Sequence, residues 1–384
     1  MSSPSLISHF ADLPDPRIDR TKRHKLIDIV VIALCGVICG ANNWVAIEAY
    51  GQAKENWLRQ FLELPNGIPS HDTFGDVFAR LDADAFRRRF MDWVEAVCAT
   101  TRGQVIAFDG KYVRGSKDST LGKNAIDMVS AWATANHLVL GQMKVDDKSN
   151  EITAIPALLA LLDVAGCLVT IDAIGCQKDI AQAIVEAQGD YVLALKENHP
   201  LLYQDVRTLF QATPRLGQQA YAPDYVRTVE KDHGRLEIRE CWTLSDPAGF
   251  PFLPDAAAWV KLQTLAMLRR ERQFPDHTTV EMAFYLSSLP GSASRLLDAT
   301  RAHWGIENSL HWVLDVAFRE DDQRFRTGNG PQNATILRHI ALNLLKHETT
   351  AKGGVQTRRL RAGWDDAYLL QVLGVQPTSL PFSF

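Results

Sequence analysis

Residues 105–111, VIAFDGK, and residues 168–175, LVTIDAIG, are two apolar runs that each break into polar residues at an aspartate. Short apolar runs bounded by Gly and charged residues are typical of buried strands. In open α/β sheets, functional groups gather at the carboxyl ends of such strands. The pattern therefore predicts a layered α/β sheet in which Asp109 and Asp172 each end a strand and face one edge.

A third acid, Glu307, lies much later in the chain within a helical pattern, HWGIENSLHW. Carboxylates that converge from separate elements repel one another unless a cation lies between them. Oxygen-only ligation favours Mg²⁺ or Mn²⁺ over zinc, and two such ions about 4 Å apart serve phosphodiester chemistry. Two alternatives stay open, since Asp–Gly is also a turn dipeptide and His303, Glu307 and His311 could form a zinc-binding helix face.

The chain has 384 residues with a formal net charge of −4, so its length indicates two or three domains. With this charge, any DNA binding must come from local basic patches. The six scattered cysteines form no CxxC pair, which favours reduced core thiols over disulfides or zinc. The apolar run at 29–41 is shorter than the roughly 20 residues that span a bilayer. We therefore expect a buried helix there, no membrane span and a cytoplasmic protein.

The predicted secondary structure differs between successive segments of the chain. Residues 1–100 read as helical, with short helices near 44–50 and 54–64 and two more that begin at Ser70 or Asp72 and at Asp82 or Asp84. The last two could form a DNA-reading helix-turn-helix or part of a plain bundle. Strands and helices alternate from 104 to about 212, and a β-rich insertion follows at about 215–290 with a hairpin turn at 232–234. Helices resume to about 347, before a basic C-terminal tail at 351–384.

Several basic and aromatic residues lie near the three acids in sequence. Flat aromatic rings suit stacking on an unpaired base, although core packing is the alternative for Trp304 and Trp312. In the tail, Lys352, Arg358, Arg359 and Arg361 could contact phosphates or simply be solvated. The candidate DNA-binding residues are Lys111, Arg114, Lys196, Arg301, His303, Trp304 and His311.

Three blocks resemble the DDE transposases of bacterial insertion sequences, in the ISAs-type group that includes the H-repeat-associated proteins. They are DGKYVRGS at 109–116, IDAIGCQKDIAQAIVEAQGDYVLALKENHP at 171–200, and RAHWGIENSLHWVLDVAFREDDQRFRTGN at 301–329 with ILRHIALNLLK at 336–346. Much of the first hundred residues, including SHDTFGDVFARLD at 70–82, resembles the N-terminal domain associated with that group. The resemblance covers nearly the whole chain.

The resemblance implies an α/β fold with an RNase H-like catalytic core at 101–350, interrupted by the β-rich insertion and preceded by an all-helical domain. It implies that Asp109, Asp172 and Glu307 are the catalytic, metal-binding triad. Related transposases carry the glutamate in a Tyr-Arg-Glu-Lys signature, whose other places here hold Thr300, His303 and Leu314. An alternative third ligand lies in the acidic cluster Asp315, Glu320, Asp321 and Asp322.

The leading hypothesis is a transposase that cuts DNA at the terminal inverted repeats of its element and joins the 3′-hydroxyls to target DNA. The resemblance also implies a homodimer in the synaptic complex, because two ends must be cut together. A metal-dependent nuclease without strand transfer and a non-catalytic DNA-binding descendant of a transposase are the alternatives.

Overall fold

The computed structural model describes residues 6–98, 101–120, 122–146, 149–212, 223–232, 234–246, 250–253 and 255–375. Three sequence expectations fall partly outside these ranges. The hairpin turn lacks its central residue, His233, the β-rich insertion lacks its start at 215, and the C-terminal tail lacks residues 376–384.

The N-terminal segment is helical, as predicted. Its helices are α1 (Leu6–Phe10), α2 (Leu26–Ile38), α3 (Trp44–Leu58), α4 (His71–Arg80) and α5 (Ala83–Val97). Ser70 and Asp82 begin α4 and α5 by accepting hydrogen bonds from the main-chain N–H groups of Thr73 and Ala85. The apolar run forms α2, which is buried along almost its whole length against α3 and against two later helices, Gly330–His347 and Val355–Trp364.

One helical expectation was wrong: the two short helices near 44–50 and 54–64 are the single helix α3. Gly51, where a break was expected, lies inside this helix and is buried. A Cβ at this position would lie 2.7 Å from Cγ2 of Ile68 and 3.2 Å from Cγ2 of Ile32. The glycine therefore serves close packing rather than a turn.

A nine-stranded mixed sheet forms the centre of the fold. Its strands are β1 (Val105–Val113), β2 (Ile126–Ala133), β3 (Leu138–Lys144), β4 (Leu168–Ile171), β5 (Asp190–Leu195), β6 (Asp224–Asp232), β7 (Arg235–Ser245), β8 (Thr264–Gln273) and β9 (Thr278–Ser287). Their order is β3-β2-β1-β4-β5-β9-β8-β7-β6. The pairs β1–β4 and β4–β5 are parallel, and the others are antiparallel. The predicted α/β sheet is thus present.

Asp109 does not end its strand, contrary to the sequence expectation. β4 ends at Ile171, which pairs with Phe108, so β1 loses its parallel neighbour just before Asp109. On its other side β1 continues to pair with β2 as far as Val113. Because one hydrogen-bonded partner remains, the Asp–Gly dipeptide stays in the strand instead of turning. Asp109 still lies level with Asp172, the residue that follows β4.

The β-rich segment predicted at about 215–290 supplies β6, β7, β8 and β9, which extend the central sheet. β9 pairs with β5 in the register Val192↔Ser287 to Leu195↔Phe284, and β8, β7 and β6 follow outward from β9. The strands that flank the acids and the β-rich segment are therefore parts of one hydrogen-bonded surface.

The remaining helices cover the sheet and join it to the N-terminal helices. They are α6 (Glu151–Leu159), α7 (Lys178–Glu186), α8 (Pro200–Ala212), α9 (Ala293–Ile306), α10 (Trp312–Val316), α11 (Gly330–His347), α12 (Val355–Trp364) and α13 (Asp366–Leu373). α9 lies along β1 and β4–β8, whereas α11 contacts α2, α4, α5 and β3.

The described part of the C-terminal tail is not a solvated end, because it forms α12 and α13. Arg359 in α12 is buried and donates hydrogen bonds to the carbonyls of Val37 (2.6 Å) and Ile38 (3.3 Å). This arginine therefore closes the C-terminal turn of α2 and is not free to contact phosphates.

All six cysteines are free thiols, and the predicted core position holds for four of them, whereas Cys39 and Cys98 are half-buried. In the part of the chain that the structure describes, no helix is both long enough and apolar enough to cross a membrane.

Candidate active site

A cavity of about 630 Å³ opens beside the ends of β4 and β5. One side is formed by α9, and another by β8 and β9 of the β-rich segment. The carboxylates of Asp109, Asp172 and Glu307 all line this cavity. The sheet and α9 thus bring together three acids that are separated by up to about two hundred residues of sequence.

Asp109 is partly buried, with a side chain that is 14% exposed. The main-chain N–H of Gly110 donates to its Oδ1 at 3.0 Å, and Nδ1 of His311 lies 3.4 Å from its Oδ2. Burial, followed by the negative charges of Asp172 and Glu307, raises the pKa of Asp109 to about 8. The site therefore favours a proton or a cation at this carboxyl group at neutral pH.

Asp172 follows the last residue of β4 and begins a tight turn. Its Oδ1 accepts hydrogen bonds from the main-chain N–H groups of Ile174 (3.1 Å) and Gly175 (3.4 Å). These bonds use one carboxylate oxygen to fix the side chain at the sheet edge.

Glu307 is the first residue of a π-helical turn, Glu307–His311, between α9 and α10. The main-chain N–H of Trp312 donates to its carbonyl five residues back. The side chain is exposed to the cavity, whereas Leu310 and His311 at the end of the turn are buried. Single π-helical turns inside α-helices are frequent at functional sites.

The two histidines near Glu307 make contacts inside the protein. Nδ1 of His303 lies 3.0 Å from the hydroxyl of Thr170, and burial lowers the pKa of His303. Burial, followed by the positive charge of Lys111, lowers the pKa of His311 to about 4. Both rings are therefore neutral near pH 7, so neither supplies a cation for a phosphate.

Lys111 points away from the cavity, toward the acidic cluster. Its Nζ lies 2.7 Å from Asp315, 3.2 Å from Glu320 and 3.6 Å from Asp321. Glu320 also pairs with Arg338 at 2.8 Å, and Asp322 pairs with Arg319 at 2.8 Å. The cluster is thus bound to cations of this chain and does not line the cavity, which disfavours it as the source of a third ligand.

The other sequence-predicted residues divide into two groups. Lys196 and Trp304 line the cavity with the three acids. Trp304 is 47% exposed and Trp312 is 59% exposed, so the core-packing alternative is wrong for both rings. In contrast, Arg301 pairs with Glu230 at 2.7 Å, and Arg114 lies near Asp321 at 3.7 Å with an exposed side chain, and neither lines the cavity.

Sequence reasoning missed Glu151, at the start of α6. A Cβ on Gly110 would lie 2.0 Å from Oε1 of Glu151, so this carboxylate occupies the space next to the Asp109 backbone. Burial, followed by the charges of Asp127 and Asp172, raises the pKa of Glu151 to about 7. Only the α6–β1 contact reveals this residue, and no motif in the sequence signals it.

Arg270 and Glu281 were also missed. They lie on β8 and β9 and line the same cavity. Arg270 is 9% exposed, and its guanidinium lies 4.9 Å from the centroid of the Trp304 ring. Successive side chains of a strand point to opposite faces of the sheet, so the pairing register of β8 and β9 decides which residues face the cavity. The sequence alone does not determine that register.

The donor set at the cavity suits a hard divalent cation, because Asp109, Asp172 and Glu307 offer only oxygen atoms. Burial and, after it, repulsion by Asp172 and Glu307 raise the pKa of Asp109, and a bound cation would offset both. As these side chains stand, no group of three His, Cys, Asp or Glu within the described ranges encloses a metal ion.

Two family models match the chain. Residues 100–344 match the model of the transposase DDE domain, and residues 7–94 match the model described as DDE_Tnp_1-associated. The first match ends in the last turn of α5, and the second begins shortly before β1.

Relatives match over nearly the full length. The chain is 40% identical to "Putative transposase YncI" of Escherichia coli O157:H7, over 97% of this chain and 95% of that protein. It is 36% identical to "H repeat-associated putative transposase YhhI" of Escherichia coli strain K12, over 97% and 98% respectively. Among solved structures, the piggyBac transposase synaptic complex with hairpin DNA aligns at a TM-score of 0.45 and 11% identity, covering 98% of this chain and 84% of that one.

Proposed function

Because the chain belongs to the family of DDE-domain transposases that includes the H repeat-associated proteins, we propose that it catalyses transposition of an insertion sequence. It cuts DNA at the terminal inverted repeats of the element and joins the resulting 3′-hydroxyls to target DNA. The observation that carries this proposal is the meeting of three carboxylates from β1, the end of β4 and the α9–α10 junction at one cavity.

The proposed architecture is an RNase H-like catalytic core at 101–350, with the β-rich insertion at about 215–290. Parallel β1, β4 and β5 with antiparallel β2 and β3 support this assignment. The helical segment 1–100 is proposed as a separate domain that takes part in DNA binding, and the chain is proposed to act as a homodimer that holds two DNA ends.

In this proposal the carboxylates of Asp109, Asp172 and Glu307 would hold Mg²⁺ or Mn²⁺, as two ions. Such ions activate a water or a 3′-hydroxyl and stabilise the leaving oxygen when they are bound. The protein positions the three carboxylates through a strand, a strand end and a helix, so their backbone spacing is largely fixed. Buried, neutral His311 packs against Asp109 and limits the directions in which that carboxylate can turn.

Substitution of the acids tests the proposal. Glu307→Gln and Asp109→Asn should abolish Mg²⁺-dependent cleavage of a labelled duplex that carries an element end, while leaving DNA binding largely intact. Glu197→Gln is the matched control, because Glu197 is an exposed carboxylate that lines the same cavity outside the proposed triad. Mg²⁺-dependent cleavage retained by Glu307→Gln would contradict the proposed role of that residue.

Strand transfer is measured separately with pre-cleaved ends and a supercoiled target plasmid. Joining of labelled ends to the plasmid supports transposition. Cleavage of uncut ends without any joining would instead assign the chain to the nucleases.

A further inference from the structure

The charge around the cavity is unfavourable for a nucleic acid. Its lining carries five carboxylates, namely Asp109, Asp172, Glu197, Glu281 and Glu307, against two cations, Lys196 and Arg270. A DNA strand brings one negative charge per phosphate, so bound metal alone must offset much of the repulsion unless a protein cation helps. The two cations are therefore the groups within the described lining that can orient a phosphate.

Arg270 is held in place, whereas Lys196 is not. The Arg270 side chain is 10% exposed, and its guanidinium stacks over the Trp304 ring, 4.9 Å from the centroid. Lys196 follows the end of β5 and is exposed on a flexible stem. A planar guanidinium that is already fixed loses less side-chain entropy when it binds a phosphate through two N–H groups.

The carboxylate partner of Arg270 can be displaced. Nη1 of Arg270 lies 3.6 Å from Oε2 of Glu281, which is longer than a hydrogen bond, and the Glu281 side chain is 56% exposed. Ion pairs with an exposed carboxylate contribute little, because water and salt screen them. An incoming phosphate can therefore take the place of Glu281 without leaving a buried charge unpaired.

We propose that Arg270, carried by the β-rich segment, binds a backbone phosphate of the DNA strand that enters this cavity. Trp304 is a positioning residue, because its ring holds the guanidinium on the cavity side of β8. This inference rests on the proposed function. It gives the β-rich segment a direct part in substrate binding, beyond forming a wall of the cavity.

The test measures DNA affinity at a series of salt concentrations. The readout is the fluorescence anisotropy of a labelled duplex whose sequence is copied from the DNA that flanks the gene. Every variant also carries Glu307→Gln, so that the duplex stays intact. Loss of one phosphate contact lowers the slope of log affinity against log salt by about 1, and weakens binding about fivefold at about 0.15 M salt. We expect this result for Arg270→Gln.

Arg272→Gln is the matched control. Arg272 lies on the same strand and also approaches Glu281, at 3.5 Å, but it does not line the cavity. It should leave the salt slope unchanged. Duplexes with single methylphosphonate substitutions identify the contacted phosphate. Neutralising that phosphate should weaken DNA binding by the Glu307→Gln protein. It should not weaken DNA binding by the protein that also carries Arg270→Gln. Equal behaviour of Arg270→Gln and Arg272→Gln would overturn the inference.

A second pair of variants keeps the test usable if Arg270→Gln does not fold. Trp304→Ala should weaken binding at unchanged thermal stability, whereas Trp304→Phe keeps a ring under the guanidinium and should bind as before. Equal binding by these two variants would overturn the role of Trp304. Intact binding without any cleavage by the wild-type chain would count against the proposed function and leave the assignment of Arg270 standing.

Discussion

Glu320 and Arg338 form an ion pair of 2.8 Å in which the side chains are 0% and 2% exposed. Lys111 on β1 approaches the same carboxylate at 3.2 Å, so the pair links the strand that carries Asp109 to α11. Burial alone would raise the pKa of Glu320, but the charges of Arg338 and Lys111 outweigh it and hold the pKa at about 2. A carboxylate in this setting remains ionised at neutral and mildly acidic pH.

Removal of the Glu320 charge should therefore destabilise the protein. Glu320→Gln leaves Arg338 buried without its counter-ion, for which we expect a loss of about 3–5 kcal/mol in the free energy of unfolding. Asp322→Asn breaks an exposed pair with Arg319 and should cost less than about 1 kcal/mol. Urea unfolding of the two variants measures the difference, and equal losses would contradict it.

Arg359 should contribute to stability and not to DNA binding. Arg359→Ala removes two hydrogen bonds to the last carbonyls of α2 and a guanidinium stacked 4.2 Å from the Phe318 ring. We expect a loss of about 2–3 kcal/mol, because hydrogen bonds from a buried charged donor are costly to lose. Lys352→Ala, at an exposed position of the same tail, should leave thermal unfolding unchanged. If folded Arg359→Ala instead lowered the salt slope of DNA binding, this arginine would contact phosphates, as the sequence-based alternative for the tail proposed.

Two glycines near the site should respond differently to a methyl group. A Cβ on Gly115 would lie 2.2 Å from the carbonyl oxygen of Gln323, and backbone cannot move aside easily. A Cβ on Gly110 would meet only the carboxylate end of Glu151. Gly115→Ala should therefore cost at least about 1–3 kcal/mol, and Gly110→Ala less. If the double variant Gly110→Ala, Glu151→Ala is more stable than Gly110→Ala alone, the contact between position 110 and the Glu151 carboxylate is confirmed.

The raised pKa of Asp109 predicts how pH and metal act together on stability. The folded state keeps the Asp109 proton up to a pKa of about 8, whereas the unfolded state releases it near the ordinary value of 3.8. This group thus contributes stability that is fully present below about pH 4 and is lost as the pH rises through about 8. Without a divalent cation, the protein should become less stable over that window.

Mg²⁺ should reverse that loss, because it binds the ionised carboxylates of the folded state. We expect the rise in melting temperature on adding Mg²⁺ to be larger at about pH 8 than at about pH 5, where protons compete for the same oxygens. Asp109→Asn should abolish the difference between the two pH values. Differential scanning calorimetry measures it, and a rise that is the same at both pH values would disprove the linkage.

Local sequence patterns predicted the elements well, because they depend on contacts close in the chain. Ser70 and Asp82 begin α4 and α5 through caps three residues away, and the Asp109 and Asp172 runs do form neighbouring strands. The end of β1 was misplaced, because its continuation depends on pairing with β2, which the Asp–Gly dipeptide does not reveal.

The site was only partly predictable for the same physical reason. Lys111 was expected to face a phosphate, but its partner Asp315 is 204 residues away and could be recognised only in the folded chain. Arg270 reaches the cavity through the register of β8 against β9, and Glu151 through the packing of α6 on the sheet. Such long-range contacts decide in which direction a side chain points and how deeply it is buried. Local motifs do not encode either property.

The continuity of the sheet also constrains how the chain folds. β5 ends at Leu195, yet its outer partner β9 begins only at Thr278, so a long loop must close before this edge is paired. Until then the six residues of β5 are an unprotected strand edge, a known start of aggregation. A fragment that stops before Thr278 should therefore sediment as aggregates, whereas the full chain remains dispersed.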